Sequence, residues 1–276
     1  MPEGPEIRRA ADEVAAVLEG KAVQQVRFGQ PRLRHLARKL RGHRVTEIET
    51  RGKAMLTHFE HGLTLYSHNQ LYGVWYVCAG HSLPSTTRSL RVLLQTATDS
   101  AVLYSASDIS VWRTAELHEH PFLKKLGPDI MNRDLQWQEV AQRLQQPAFA
   151  GRRLASLYLD QAFLAGIGNY LRSEILFDAG LHPQQVAGEL SRGERGRLAR
   201  STLTLSRRSY RTSGVTLAPR LAGALRRNGS SFEQRRFAVF GRPGLPCYRC
   251  GDPVHREEQG SRRIYWCHQC QPALPG

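Results

Sequence analysis

Cys247, Cys250, Cys267 and Cys270 are the residues of this sequence with the plainest chemistry. They form two Cys-x2-Cys pairs sixteen residues apart, the spacing of two knuckles that each give two thiolates to one tetrahedral zinc ion. Four thiolates close the shell, so the ion has no open position and its expected role is structural. It supplies folding energy to a module too small to build a core. Tyr265, Trp266, Gly251 and Pro253 suit a small β-hairpin, and Arg256, Arg262 and Arg263 make it basic. His255 and His268 lie close by and read as surface residues, because the shell is already complete. The fifth cysteine, Cys78, sits in an apolar run far upstream and reads as a small buried hydrophobe rather than a nucleophile.

A second candidate site is the run Leu159 to Leu171, where two apolar helical segments meet through Gly166-Ile167-Gly168-Asn169. The glycines permit positive φ and close backbone approach. Asn169 would begin the next helix, where free N–H groups and the dipole favour an anion such as a DNA phosphate. An ordinary capped helical hairpin would use the same residues. The charge points the same way. Lys and Arg number 39 against 24 Asp and Glu, a net +15, which favours a polyanionic partner because neutralised phosphates release counterions. Ribosomal, membrane-surface and nucleic-acid-binding proteins share that balance.

The elements that must carry these residues change character along the chain. Ile7, Ala11, Val14 and Leu18 recur at helical spacing over residues 6–19, with Gly20 as the stop. Short β-rich runs follow at 45–50, 54–59, 63–67, 73–78, 90–96 and 101–105, with turns at Arg51-Gly52 and Thr98-Asp99-Ser100, which suggests a sandwich or flattened barrel. Beyond about Thr114 the periodicity is helical, at 135–145, 153–164, 170–179 and 189–205. Residues 210–231, rich in Gly, Ser and Arg, read as a mobile loop. The expected fold is α+β and multi-domain: an N-terminal β-sandwich with a flanking helix (1–114), a helix-two-turn-helix domain (115–235) and a C-terminal β-hairpin zinc finger (236–276). No apolar run reaches the roughly 18 residues of a membrane span, and the start carries no signal core, so a cytoplasmic protein is expected.

Pro2-Glu3-Gly4-Pro5-Glu6, Lys53 after a turn, the Gly166–Asn169 motif and the four-cysteine finger together resemble the bacterial formamidopyrimidine-DNA glycosylase/endonuclease VIII family, from Met1 to the last cysteine. The opening and the run from Tyr66 to Trp75 look like its endonuclease VIII branch, which prefers oxidised pyrimidines. The resemblance implies a monomer that acts on double-stranded DNA with oxidised bases or abasic sites, cytoplasmic and at the nucleoid when acting. It implies that Pro2, once Met1 is removed, is the amine nucleophile. Glu3 would be the general acid/base, with Glu6 facing the same pocket or merely partnering the helix dipole. Lys53 would contact phosphate and assist proton transfer, and Arg262 would grip the phosphates flanking the lesion, with Arg263 competing for that role. Gln70, Leu71 and Tyr72 match the loop that fills the hole left by a flipped base; their alternative is a plain β-turn with Leu71 in the core. Lys125, where the family often has arginine, and Asn169 match phosphate-binding positions. Residues 210–231 depart most from the family. A purine-preferring member, a non-catalytic binder of damaged DNA and an RNA-associated zinc protein are the competing functions.

Overall fold

Ile7, Ala11, Val14 and Leu18 fall on one buried face of helix α1 (Gly4–Leu18) in the computed structural model, which describes residues 2–259 and 262–273. The chain divides into two compact units, Met1–Lys125 and Leu126–Gly276. In the first, strands β1 (Gln25–Phe28), β2 (Val45–Arg51), β3 (Ala54–Phe59), β4 (Leu63–His68), β5 (Val74–Ala79), β6 (Leu90–Gln95), β7 (Asp99–Tyr104) and β8 (Asp108–Arg113) are joined by one short helix, α2 (Ala37–Leu40). They build two antiparallel sheets, ordered β1-β6-β7-β5 and β2-β3-β4-β8. Phe28, Trp75, Leu94 and Leu103 from one sheet meet Ile48, Met55, Leu65 and Ile109 from the other in a single core that also takes Val14 and Leu18 of α1. This is the expected sandwich with its flanking helix. Strand β8 extends the β region past Tyr104, where the alternation indicated its end. Cys78 is only partly covered on the edge strand β5, not buried as expected, and burial still pushes its thiol up.

The second unit contains α3 (Trp137–Arg143), α4 (Pro147–Ala150), α5 (Leu154–Leu157), α6 (Asn169–Ala179), α7 (Arg192–Arg211), α8 (Pro219–Arg227) and the hairpin β9 (His255–Gln259) and β10 (Arg262–Trp266). Two expectations are corrected here. The helix expected over 153–164 stops after α5, because Asp160 turns its carboxylate back onto the Ala162 N–H at 2.8 Å and ion-pairs with Arg152. Residues 210–231 are not one loop. They hold the end of α7 and then α8, where Pro219 pre-sets the first turn and Leu221 and Leu225 lie one helical turn apart on a half-buried face. The polar composition of that stretch concealed a pattern only nine residues long.

Helix α6 is the axis of this unit. Nine of its eleven residues are buried, among them Arg172 (1% exposed) and Glu174 (2%). Buried charges persist only with partners. Arg172 donates to the carbonyls of Ala155 and Arg263 and to Asn169 Oδ1, at 3.0, 2.9 and 2.6 Å. Glu174 accepts from the N–H groups of Ala238, Val239 and Phe240 at 2.8–2.9 Å and from the Thr216 hydroxyl at 2.5 Å. Burial pushes its carboxyl above the ordinary range, and the four donors pull it back. Farther along, Arg249 donates to the Phe177 carbonyl and to Asp178, while Gln271 donates to the Leu181 carbonyl. The finger is therefore tied to α6 and to the residues that follow its end.

The chain entering the unit also passes very close to the turn that precedes α6. A Cβ added at Gly127 would stand 2.3 Å from the Ala162 carbonyl oxygen and 2.7 Å from that of Phe163. Gly127→Ala is therefore expected to lower the unfolding free energy of this unit by at least about 2 kcal/mol, the scale of an overpacked core, as a shifted urea midpoint. An unchanged midpoint would mean that this contact does not constrain the turn.

Candidate nucleic-acid interface and metal centre

In the first unit, Glu3 is the N-cap of α1 and is 2% exposed, with Pro2 half-buried before it. Glu6 Oε2 accepts from the Glu3 N–H at 3.0 Å, which completes a capping box and fixes the backbone from which the Glu3 carboxylate projects. Glu6 is thus a capping residue that positions Glu3. Met1 lies outside the described residues. Lys53 occupies the two-residue turn between β2 and β3, whose last pair is Arg51 with Ala54, and is 9% exposed. That burial is uncommon for a lysine and absent from a plain surface turn.

The loop after β4 begins at His68, paired across the sheet with Ala54 and Asp108. His68 Nδ1 accepts from the Gln70 N–H at 3.0 Å, and Gln70 is held at φ 51°, an unusual conformation for a non-glycine residue. The Ser107 hydroxyl donates to Gln70 Oε1, and Arg88 donates to the Tyr72 carbonyl at 2.8 Å. These bonds brace the backbone while leaving Leu71 and Tyr72 57% and 70% exposed. Leu71 is therefore not a core residue. Burial pushes the His68 imidazole below its ordinary value; Asp108 pulls it up and Lys53 pushes it down, so Lys53 is electrostatically coupled to this loop. Lys125 is exposed at the end of a single 3-10 turn, Leu123–Lys125.

In the second unit, Gly166 takes φ 101° as the glycine pattern suggests, whereas Gly168 is extended and caps α6. Asn169 is the first residue of α6, and Arg172 orients its amide. Gln161 ties the turn together, donating to the carbonyls of Leu159 and Ile167 and accepting from the Gly166 N–H. Arg143 adds two bonds to the carbonyls of Phe163 and Ala162. Arg262 opens β10 as an exposed side chain, while Arg263 next to it lies 3.6 Å from Glu258. Neither Arg172 nor Glu174 was singled out from sequence. Their signal is two opposite charges within one turn of a helix flanked by the apolar pairs Tyr170-Leu171 and Ile175-Leu176.

The four finger cysteines converge, with all their sulfurs within 4.8 Å of one another. The Cys247–Cys270 and Cys250–Cys267 Sγ pairs stand 3.9 and 3.4 Å apart. Zinc–sulfur bonds of about 2.3 Å in a tetrahedron require sulfurs about 3.8 Å apart. The donor set and its spacing fit one metal ion. His255 and His268 meet edge to face with ring centroids 4.0 Å apart and are not among the clustered ligand atoms. Among the described residues no helix is long and apolar enough to cross a membrane.

Residues 1–107 match the formamidopyrimidine-DNA glycosylase N-terminal domain, and residues 126–218 match the formamidopyrimidine-DNA glycosylase H2TH domain. Endonuclease 8 of Escherichia coli O17:K52:H18 (strain UMN026 / ExPEC) is 49% identical over 271 residues, 98% of this chain and 100% of that protein. Endonuclease 8 of Enterobacter sp. (strain 638) is likewise 49% identical with the same coverage. Lactococcus lactis Fpg, solved with DNA containing N7-benzyl-Fapy-dG, superposes with a TM-score of 0.81 at 20% identity, covering 99% of this chain and 100% of that one. Its complex with DNA containing an abasic site gives 0.81 at 20% identity, covering 98% and 100%. At that identity the two complexes establish the shared fold. The identity to the endonuclease 8 proteins, spanning nearly the whole chain, and the two domain matches show that this chain belongs to the formamidopyrimidine-DNA glycosylase/endonuclease VIII family of DNA glycosylases.

Proposed function

We propose that this chain is a bifunctional DNA glycosylase and abasic-site lyase that removes oxidised pyrimidines from duplex DNA. The observation that carries the reading is the start of α1, where a buried Glu3 carboxylate stands one residue after Pro2 in a backbone fixed by Glu6. An α-amine has a pKa near 8 against about 10.4 for lysine, so much more of it is unprotonated at neutral pH. With Met1 removed, the Pro2 nitrogen attacks C1′ of the flipped nucleotide. The bond to the base breaks, Glu3 protonates the sugar ring oxygen as the ring opens, and an iminium links enzyme and sugar. Loss of a C2′ proton then expels the 3′ phosphate by β-elimination, and δ-elimination expels the 5′ phosphate. Lys53 assists the proton transfers and, with Lys125, Asn169 and Arg262, holds phosphates. Arg262 is favoured over Arg263 because Glu258 already accompanies the latter. Lys125 supplies charge without the bidentate geometry of an arginine.

Gln70, Leu71 and Tyr72 fill the space that the flipped base leaves. Their match to the endonuclease VIII loop, with the 49% identity to endonuclease 8 proteins, supports pyrimidine lesions over 8-oxoguanine. The cysteine cluster holds one structural zinc ion and no step of the reaction passes through it. Its role is to fix the hairpin that carries Arg262. The catalytic unit then corresponds to residues 1–114, the helix-two-turn-helix unit to 115–235 and the finger to 236–276.

Borohydride trapping tests the mechanism and the branch together. A covalent adduct mapped to Pro2, formed faster on dihydrouracil than on 8-oxoguanine duplexes, is expected. Faster trapping on 8-oxoguanine would reassign the substrate. No adduct from zinc-loaded protein lacking Met1 would refute the catalytic reading.

The bracing of the loop by His68 makes a pH prediction. Because burial lowers the folded-state value below that of the unfolded chain, the stabilising effect is complete above the unfolded value of about 6.5. It is lost as the pH falls below that, where only the unfolded state takes up the proton. The melting temperature of the N-terminal unit should fall between about pH 7.5 and about pH 5.5, and fall less in His68→Asn. An equal fall in both would show that His68 is not the group responsible.

A further inference from the structure

The function above uses the end of the helical unit that carries Gly166–Asn169. The opposite end carries a basic groove that nothing in that function requires. Helices α6 and α7 run antiparallel: Tyr170 bonds Ser209 at 2.8 Å, Asp178 bonds Ser201 at 2.7 Å, and Arg197 reaches the Ala179 carbonyl. The first turns of α7 are therefore about 25 Å along the helix from the end that meets Asn169, at 1.5 Å rise per residue.

There, α7 and α3 enclose an open groove of about 670 Å³, within the range of ligand-binding clefts. One wall is the face of α3 and its extension, where Gln138, Gln142 and Gln145 stand beside Trp137 and Ala141; the other presents Arg192, Arg195 and Arg200. Gly193 also lines it and is exposed, whereas Gly196 is buried against the Arg200 guanidinium. Arg200 stacks its guanidinium over the Trp137 ring at 4.5 Å, which holds it flat and leaves its edge for a carboxylate. No carboxylate lines the groove. The two nearest along the chain are already committed: Glu194 caps α7 by accepting from Ser191, and Glu139 accepts from the Gln136 N–H to cap α3. Among the described residues none of the three arginines lies within ion-pair distance of a carboxylate.

We propose that this groove docks an acidic peptide segment of a partner protein, its carboxylates on Arg192 and Arg200 and an apolar side chain against Trp137 and Ala141. Arg192 and Arg200 supply the charge complementarity, while Arg195 already donates to the Leu190 carbonyl and lies in the field of Glu194. The amides of Gln138, Gln142 and Gln145 offer both donors and acceptors, which suits a peptide backbone, whereas a phosphate backbone uses donors alone. The surface is remote from the DNA-facing turn of its own unit, so the partner and a lesion duplex can be held together.

The test uses full-length, zinc-loaded protein saturated with a duplex carrying a stable abasic analogue, so that the DNA-binding surface is occupied. The probe is a dye-labelled peptide of alternating Glu and Leu, with a Gln/Leu peptide as control, read by fluorescence anisotropy. The acidic peptide should bind the complex, and Arg192→Glu with Arg195→Glu should weaken it by about tenfold or more without changing duplex affinity. These two substitutions leave the Arg200–Trp137 stack in place, and unchanged duplex affinity reports an intact fold. Equal binding by the variant, or no preference over the control peptide, would overturn the proposal. So would a variant that loses duplex affinity instead, which would assign the groove to nucleic acid. If the protein bound no duplex at all, the comparison of the variant with the parent on free protein would still decide the groove, independently of the glycosylase reading.

Discussion

The second unit depends on two buried charges of α6. Arg172 and Glu174 are both almost fully removed from water, and every bond that compensates them outside α6 itself runs to a segment distant in sequence. A buried carboxylate without donors costs far more than a single hydrogen bond is worth, so α6 can occupy the centre of the unit only when residues 238–240 and Thr216 close on it. The same logic acts at Arg172. Its guanidinium spans the Asn169 amide at one end of the interface and the Arg263 carbonyl on the finger strand at the other. The helix turn and the finger, far apart in the chain, thereby share one rigid reference. The cysteine cluster fixes the shape of the finger, and α6 fixes where it sits.

The first unit solves a different problem, which is to hold the Glu3 carboxylate and the exposed loop side chains still. Glu3 is placed by a capping box rather than by side-chain packing alone, so its position follows from the helix that the Ile7-Ala11-Val14-Leu18 face anchors in the core. Leu71 and Tyr72 are apolar side chains left in solvent, an arrangement that is unfavourable unless something else later covers them. The bonds from His68, Ser107 and Arg88 go to the backbone and to Gln70, so the loop is ordered without burying its apolar tips. That is what a surface prepared for a partner requires.

Much of this was legible from the chain. The cysteine spacing, the α1 face and the alternation of the sandwich strands each follow from one local rule, and each appears where the rule placed it. Residues 153–164 were not legible, because their apolar periodicity is helical and the decisive events are side-chain bonds from Asp160, Gln161 and Arg143 to a turn. Helix α8 was hidden for the opposite reason: its Arg and Gly content resembles a loop, and only Pro219 with Leu221 and Leu225 marks it. Lys53 reads as a surface lysine in isolation, and its burial depends on neighbours that no local pattern specifies. Arg172 and Glu174 lie at ordinary helical positions, and their partners outside α6 are 17 to 91 residues away. The candidate site was thus visible as residues, while the bonds that aim those residues were not.

The most direct test of this account is backbone hydrogen exchange in zinc-loaded protein, comparing the parent with Glu174→Leu, which removes both carboxylate oxygens. If α6 is the shared reference, protection should fall together at Ala238, Val239 and Phe240, which lose their acceptor, and along β10, which contacts α6 through Arg172. Loss confined to residues 238–240, with β10 as protected as before, would contradict it and leave the metal cluster alone as the organiser of the finger.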